Sequence, residues 1–356
     1  MMKIDCLIVG AGQAGLTLAA TLNKKRINTL ILERDQRIGD VWRRRPDNML
    51  LFTSRMMSQL PDFPLPGSPD GYPCKDEIAD YLERYAHHHN LNVLTGMQVA
   101  SVKHQDGLFT LTTQKGEQFS APCLVNATGA NQTPIIPDMA GNLSPSVQQL
   151  TADRYLNPAQ FQVGSRIAVI GDGASGRQIA QELSSSMKVT LFCGTPRPLV
   201  PNRVLGKDLF WWLHKSKILY ADVSSLVGKI VQRRNPIPCG ELNNKHLSAL
   251  NVQIAQKLVK AENETLYDQQ GKKYHIDGLI WCVGYKEATD WLTLPGVSNT
   301  QGFICESGHM NGGKTSYPGL FVVGRKWLSS RSSELLLGAA RDAQRVAQWV
   351  EQELKF

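Results

Sequence analysis

The stretch Ile4-Asp-Cys-Leu-Ile-Val-Gly10-Ala-Gly12-Gln-Ala-Gly15-Leu-Thr-Leu, followed by Thr29-Leu-Ile-Leu32-Glu33, decides the fold. Ile4 to Val9 is a short apolar run suited to a buried parallel strand. A glycine-rich turn follows, then a helical stretch from Leu16 to Leu22, with Lys24, Lys25 and Arg26 where cations complement the helix dipole. Thr29 to Leu32 reads as a second strand, ending at an acid 18 residues beyond Gly15. A strand before the glycines, a helix after them and an acid at this distance make the pattern a dinucleotide-binding βαβ unit rather than a chance GxGxxG. Gly10 permits the tight turn, Gly12 admits a pyrophosphate against the backbone, and Gly15 allows helix and strand to pack closely. The pyrophosphate then meets free N–H groups at the helix N-terminus, and Glu33 accepts hydrogen bonds from a ribose diol.

The unit recurs 161 residues later. Arg166 to Ile170 reads as a strand, Gly171-Asp-Gly173-Ala-Ser175-Gly176 as the turn, Arg177 to Leu183 as the helix and Val189 to Phe192 as the next strand. Two fingerprints in one short chain indicate two different dinucleotides. The counterpart of Glu33 is missing: the second strand runs into Phe192-Cys-Gly194-Thr-Pro-Arg197. An acid repels a 2′-phosphate and an arginine attracts it, so the second site is expected to take NADPH through Arg197, with NADH tolerated. Two apolar runs ending in glycine, Cys123 to Gly129 and Leu279 to Gly284-Tyr285, echo each other at similar distances from the two fingerprints. The expected fold is α/β, with two Rossmann-like three-layer dinucleotide-binding domains. The NADPH domain (157–288) interrupts the first dinucleotide-binding domain, which is built from 1–156 and 289–356.

Composition narrows the partners. The chain has 356 residues with 42% in the hydrophobic class and 20% charged, enough apolar matter for two cores. Its formal charge of +8 favours anionic partners, yet the densest basic run, Arg43-Arg44-Arg45, is three residues long. Small phosphorylated ligands are therefore expected, and no nucleic acid. Seven dispersed cysteines contain no CxxC pair, reading as reduced thiols in a cytoplasmic protein. No signal-peptide architecture precedes the first strand, and no apolar run is long enough for a transmembrane helix. Adjacent histidines at His87, His88 and His89 do not converge on one ion, so no metal site is expected. Residues 204–231 mix Trp211, Trp212 and Leu219 with lysines; they read as an excursion over the active site, with contact to a membrane surface the lesser alternative.

Nearly the whole chain resembles the flavin-containing monooxygenase-like class of two-dinucleotide-binding flavoproteins. Gly10, Gly12, Gly15 and Glu33 match that class's FAD fingerprint, and Gly171, Gly173, Ser175 and Gly176 its nicotinamide fingerprint. Ala127-Thr128-Gly129 and Val283-Gly284-Tyr285 are similar to its paired interdomain motifs, and Gly39-Asp40-Val41-Trp42 to its turn beside the flavin. The Leu60-to-Pro66 segment, Tyr72-Pro73 and a helix from Lys75 to Ala86 follow in the class's order. Pro318 to Gly324 resembles the last FAD-domain strand, and Ser332 to Ala343, with Leu335, the closing helix by the isoalloxazine. The resemblance implies FAD reduction by NADPH and oxygenation of a small molecule (a soft heteroatom or a carbonyl) by O₂ through a flavin C4a-(hydro)peroxide. Trp42, Ser54, Thr151 and Tyr155 are the implied catalytic candidates. One departure stands out: in the class's fingerprint ahead of the second glycine turn Tyr155 is in place, but Thr151 holds the histidine position, and Pro145 and Val147 the upstream Phe and Gly positions. That departure keeps a second expectation open, an NAD(P)H-dependent flavin oxidoreductase or oxidase passing electrons to a quinone, a protein or O₂ without oxygen insertion.

Overall fold

Cys6–Val9, Thr29–Leu32 and Cys123–Asn126 are buried at every position, as strands covered on both faces must be. In the computed structural model, which describes residues 3–297 and 312–355, they form the middle of a parallel five-stranded sheet. Its order is Leu320–Val322, Cys123–Asn126, Cys6–Val9, Thr29–Leu32, Val93–Leu94. One face packs on helices Gln13–Lys24, Lys75–His88 and Ala339–Glu353 through Leu16, Leu18, Ile78, Leu82 and Val346. The other face meets a three-stranded antiparallel sheet, Val99–Gln105, Leu108–Thr113 and Gln118–Ala121, through Leu7, Leu30, Phe109 and Leu124.

The second half repeats the plan. Its parallel sheet runs Gln253–Ala255, Lys188–Phe192, Arg166–Ile170, Gly278–Trp281, Gln148–Thr151. Helix Ala174–Leu183 and helix Asn244–Ala249 contribute Ile179, Ala180, Leu183 and Leu247 to the core on one face. A second antiparallel trio, Leu258–Glu262, Thr265–Asp268 and Lys273–His275, covers the other. Each half is therefore three layers about a parallel sheet. The two halves are joined by two crossings that pair with each other: Thr133–Pro134 lies antiparallel to Tyr285–Lys286, and the Ile135 N–H donates to the Gly284 carbonyl at 3.0 Å.

The expected first boundary, after residue 156, falls too late. Gln148–Thr151 pairs in register with Gly278–Trp281, so sheet membership puts this strand in the second half. Polar Gln148 and Gln149 disguise it: both are exposed, because the strand lies at the sheet's edge. After Trp281 the chain rejoins the first half, where Trp291, Leu292, Leu294 and Val297 pack with Leu7 and Leu30.

Local boundaries shift for simple reasons. The first strand starts at Cys6 rather than Ile4, since the Asp5 carboxylate accepts the Asn28 N–H at 2.9 Å and turns the chain there. Ser332 to Gly338 do not open the closing helix, which begins at Ala339. Ser330 and Ser332 hydroxyls bond each other at 2.8 Å, and the Ser333 hydroxyl takes the Ser329 and Ser330 N–H groups, so these serines form turns instead. At the end of helix Lys75–His88, His88 packs on Phe63 and His89 on Tyr85, with ring centroids 4.8 and 4.4 Å apart. The six described cysteines are free thiols, and Cys305 lies outside the described residues. Among the described residues no helix is long and apolar enough to cross a membrane.

Residues 204–231 belong to an excursion from the second half that includes helices Leu209–Lys215 and Leu226–Arg234. Phe210 and Leu219 are buried against Met57 and Leu335 of the first half, and Phe52 meets Phe210 at 5.5 Å.

The third glycine of each turn makes a backbone contact too close for any side chain. A Cβ on Gly15 would stand 2.1 Å from the Gly10 carbonyl oxygen, and one on Gly176 would stand 1.9 Å from that of Gly171. Gly176→Ala is therefore expected to cost about 1–3 kcal/mol, as overpacking of a tight contact does. Gly141→Ala, at a site with nothing within 4 Å of the new methyl, is the control and should change stability by less than about 0.5 kcal/mol. Denaturant unfolding of the two variants checks both values.

Candidate functional site

The first glycine turn opens onto a cavity of about 230 Å³. Gly10, Gly12, Glu33, Trp42, Ala127, Thr128, Gly129 and Gly324 all line it. Gly10 has φ +107, and a Cβ there would meet the Ala127 carbonyl oxygen at 2.7 Å; Gly12 has nothing within 4 Å of a would-be Cβ. The turn thus presents bare backbone to open space at the start of helix Gln13–Lys24, whose first N–H groups lack intrahelical partners. Gly15 lies behind this surface, where it sets the helix-to-strand distance.

Glu33 shapes the far wall. Its carboxylate accepts the Ala11 N–H at 2.7 Å and the Asp35 N–H at 3.0 Å, tying the end of the second strand to the glycine turn. Burial raises its pKa, and these two N–H bonds work against that shift. On the opposite strand end, the Asn126 amide oxygen accepts the Thr128 N–H and hydroxyl at 3.1 and 2.7 Å. Gln132 then bonds the Thr128 hydroxyl and the Gly129 carbonyl, so 127–132 forms a fixed rim. Trp42 follows the left-handed Gly39 turn and carries the Arg45 guanidinium over its ring at 5.4 Å.

The second turn copies the first with one exchange. Gly171 has φ +106 and abuts the Cys282 carbonyl as Gly10 abuts that of Ala127. A Cβ on Gly173 would find Arg197 Nη2 at 3.5 Å as its nearest neighbour, which sets Arg197 beside the bare loop. Gly194 occupies the position of Glu33, and Asp172 that of Ala11. The tether survives in reverse: Asp172 Oδ1 accepts the Gly194 N–H at 3.0 Å. Asp172 Oδ2 also pairs with buried Arg177 at 3.1 Å. Arg177 reaches on to the Leu242 carbonyl and Asn244, anchoring the chain beyond the excursion.

A larger cavity of about 550 Å³ lies between the halves. Arg45 and Met49 to Phe52 line it from the first half; Ser175, Gln178, Ile179 and Glu182 line it from the second fingerprint helix. Asn202, Cys239, Glu241 and Leu242 of the excursion and Tyr285 of the crossing complete it. Burial pushes the Tyr285 phenol up to about 12 and the Cys239 thiol up to about 11, so both are neutral hydrogen-bonding groups. Arg45 belongs to both cavities and marks where they abut.

The catalytic candidates are dispersed by this geometry. Trp42 lines the first cavity. Ser54 is buried away from both, its N–H bonded to the Asp208 carboxylate. Thr151 ends its strand in the interior, where its carbonyl accepts the Arg154 and Tyr155 N–H groups at 2.9 and 3.0 Å. Tyr155 is fully buried and donates its hydroxyl to Glu182 at 3.0 Å, reaching the larger cavity only through that carboxylate. Burial beside Glu182 holds its phenol well above the usual range. Among the cofactor candidates, Leu335 lines neither cavity but packs with Met57, Phe210 and Leu219. Gly284 sits in the crossing, its carbonyl bonded to Ile135. Sequence reasoning passed over Arg45, Asp172 and Glu182. Asp172 was readable by aligning the two glycine turns residue by residue, whereas Arg45 and Glu182 carried no motif.

Comparison with known proteins places this geometry. Residues 7–198 match the family described as pyridine nucleotide-disulphide oxidoreductase. An uncharacterized CzcO-like oxidoreductase of Geobacillus kaustophilus is 38% identical over 347 residues, 96% of either chain. A probable indole-3-pyruvate monooxygenase of Arabidopsis thaliana, YUCCA8, is 27% identical over 385 residues, 96% of this chain and 87% of its own. The fold is that of a flavin-containing monooxygenase from Stenotrophomonas maltophilia, with TM-score 0.82 at 24% identity over 99% of this chain and all of that one. With two glycine turns in duplicated three-layer halves and relatives along its full length, the chain belongs to the pyridine nucleotide-disulphide oxidoreductase family, as an oxidoreductase of the two-dinucleotide-binding flavoprotein class.

Proposed function

We propose that this chain is an FAD-dependent, NADPH-using monooxygenase that oxygenates a small molecule with O₂ at the junction of its two cavities. The observation that carries the reading is the exchange of the tethering acid. Glu33 is suited to a ribose diol in the first turn, while Gly194 with Arg197 leaves room and positive charge for a 2′-phosphate in the second. Gly10, Gly12 and Gly129 fit a flavin dinucleotide's pyrophosphate and sugar chain, because side chains there would fill the cradle or strain the backbone. Bound flavin would supply the redox chemistry, taking hydride from the nicotinamide and activating O₂ so that one atom goes to the substrate and the other leaves as water.

The protein's own residues do the rest. Helix N-termini at Gln13 and Ala174 hold the two pyrophosphates with backbone N–H groups. Trp42 walls the first cavity, and Met49, Leu50, Leu51 and Phe52 keep the second apolar on one side, which limits water at the reacting end. Ser54 is assigned a positioning role: with Asp208 it fastens the excursion to the first half. Tyr155 positions Glu182, and Thr151 caps the loop that presents Tyr155. Oxygenation also accords with YUCCA8 being named a probable monooxygenase. The dispersed free thiols suit a cytoplasmic setting.

Four outcomes test the reading. Incubation with NADPH, ¹⁸O₂ and a panel of thioethers and ketones should yield a singly labelled product; stoichiometric peroxide with no labelled product would instead favour an oxidase. Arg197→Ala should raise KM for NADPH by roughly tenfold or more, the scale of a lost charge-assisted contact, and leave KM for NADH within about twofold. Glu33→Ala should release flavin on gel filtration. In the parent protein, because burial sets the Glu33 carboxyl above its ordinary pKa, flavin retention should weaken as pH falls through that raised value and be fully present above it.

A further inference from the structure

Three consecutive arginines leave the Trp42 turn, and their surroundings differ. Arg43 pairs with Asp40, Asp80 and Glu83 at 3.2, 2.8 and 3.1 Å, and Arg44 with Asp35 at 2.7 Å. The Arg45 guanidinium has no hydrogen bond or ion pair among the described residues and lies over the Trp42 ring at 5.4 Å. Asp153 lies within electrostatic range, but the two form no ion pair, and Asp153 Oδ1 is itself buried without a partner. A half-buried cation that faces two cavities without a counter-ion is favourably placed to pair with an anion that arrives with the ligand. Arginine keeps its charge in that setting and offers a planar pair of donors.

We propose that Arg45 is the anion receptor of the larger cavity and takes a carboxylate carried by the substrate. The proposal rests on the monooxygenase reading and names its substrate class. Position favours the substrate over the cofactor phosphates. Each glycine turn already offers backbone N–H groups at a helix N-terminus, whereas Arg45 stands where the two cavities abut. The chain beside it supplies the apolar wall Met49 to Phe52, suited to the body of an amphipathic acid. Carboxylates elsewhere in the cavity are already engaged: Glu182 holds Asn48 at 2.9 Å and Tyr155 at 3.0 Å, and Glu241 holds the Asn202 N–H at 2.8 Å. Both belong to the second half, so their field repels an anion toward Arg45 and fixes the ligand's direction. A bidentate arginine–carboxylate contact supplies orientation as well as affinity.

The test is an equilibrium titration of the flavin-loaded protein with phenylacetate and with its neutral isostere phenylacetamide, followed by the flavin difference spectrum. Phenylacetate should bind at least about tenfold more tightly than the amide, the scale of a desolvated charge-assisted pair. Arg45→Gln should abolish that preference by weakening phenylacetate alone, with Arg45→Lys intermediate; flavin content and KM for NADPH should stay unchanged in both. Equal binding of the two probes by the parent protein overturns the proposal. So does an equal loss for both probes in Arg45→Gln, or loss of flavin or a raised KM for NADPH, which would assign the guanidinium to a cofactor. The readout needs no turnover, so a failure to insert oxygen would overturn the reaction assigned above while leaving this result interpretable.

Discussion

The approach of a helix N-terminus to the end of a parallel strand is the constraint on which the remainder of this molecule depends. In each half, one glycine sits so close to the carbonyl of another that no side chain fits between them. That contact brings the N–H groups at the head of the helix, which lack intrahelical partners, to the lip of a cavity. It also sets where the strand's neighbours end. Asn126 and Trp281, on the adjacent strands, lead directly into the two segments that cross between the halves. Widening either contact would displace a cradle and a crossing together.

Duplication of this arrangement makes its one asymmetry informative. Both halves join the glycine turn to the end of the neighbouring strand with a carboxylate and a backbone N–H. In the first the acid stands at the strand's end and lines the first cavity; in the second it stands on the turn, is neutralised by Arg177, and leaves glycine at the strand's end. The structural task is identical, and the electrostatic consequence is opposite. The charge at the end of the strand is thus changed by moving a single carboxylate across a hydrogen bond, without altering the surrounding backbone plan.

The features legible in the sequence are those governed by local rules. Thr29–Leu32 and Arg166–Ile170 have the expected bounds because their segments Leu30 to Leu32 and Ile167 to Ile170, buried on both faces, are continuously apolar. The glycine turns announced themselves because backbone proximity admits no other residue. Gln148–Thr151 was illegible as a strand of the second half, since edge exposure made it polar and its partner lies 130 residues away in the sequence, a separation read directly from Gln148 and Gly278. Ser332 to Gly338 misled in the other direction: their hydroxyls compete with a helix by bonding nearby backbone, and Leu335 turns toward Phe210. The expected catalytic positions Ser54, Thr151 and Tyr155 hold elements together, a role that depends on long-range contacts no motif records.

The same long-range contacts explain why the larger cavity exists between the halves rather than within one. Asp208 starts the helix Leu209–Lys215, accepting the Phe210 N–H at 2.7 Å with one oxygen and the Ser54 N–H with the other. A single buried carboxylate therefore caps the start of a helix of the second half and fastens it to a loop of the first. Its burial raises its pKa, and the two N–H donors restrain that rise by favouring the ionised form. Phe210, Leu219, Met57 and Leu335 close an apolar contact around it. With the excursion fixed there, Asn202 and Glu241 come to face Met49 to Phe52 across the space into which Arg45 projects from the first cavity's wall. Neither half alone supplies an apolar wall, a cation and an engaged acid wall together; the latch at Asp208 is what assembles them into one binding surface.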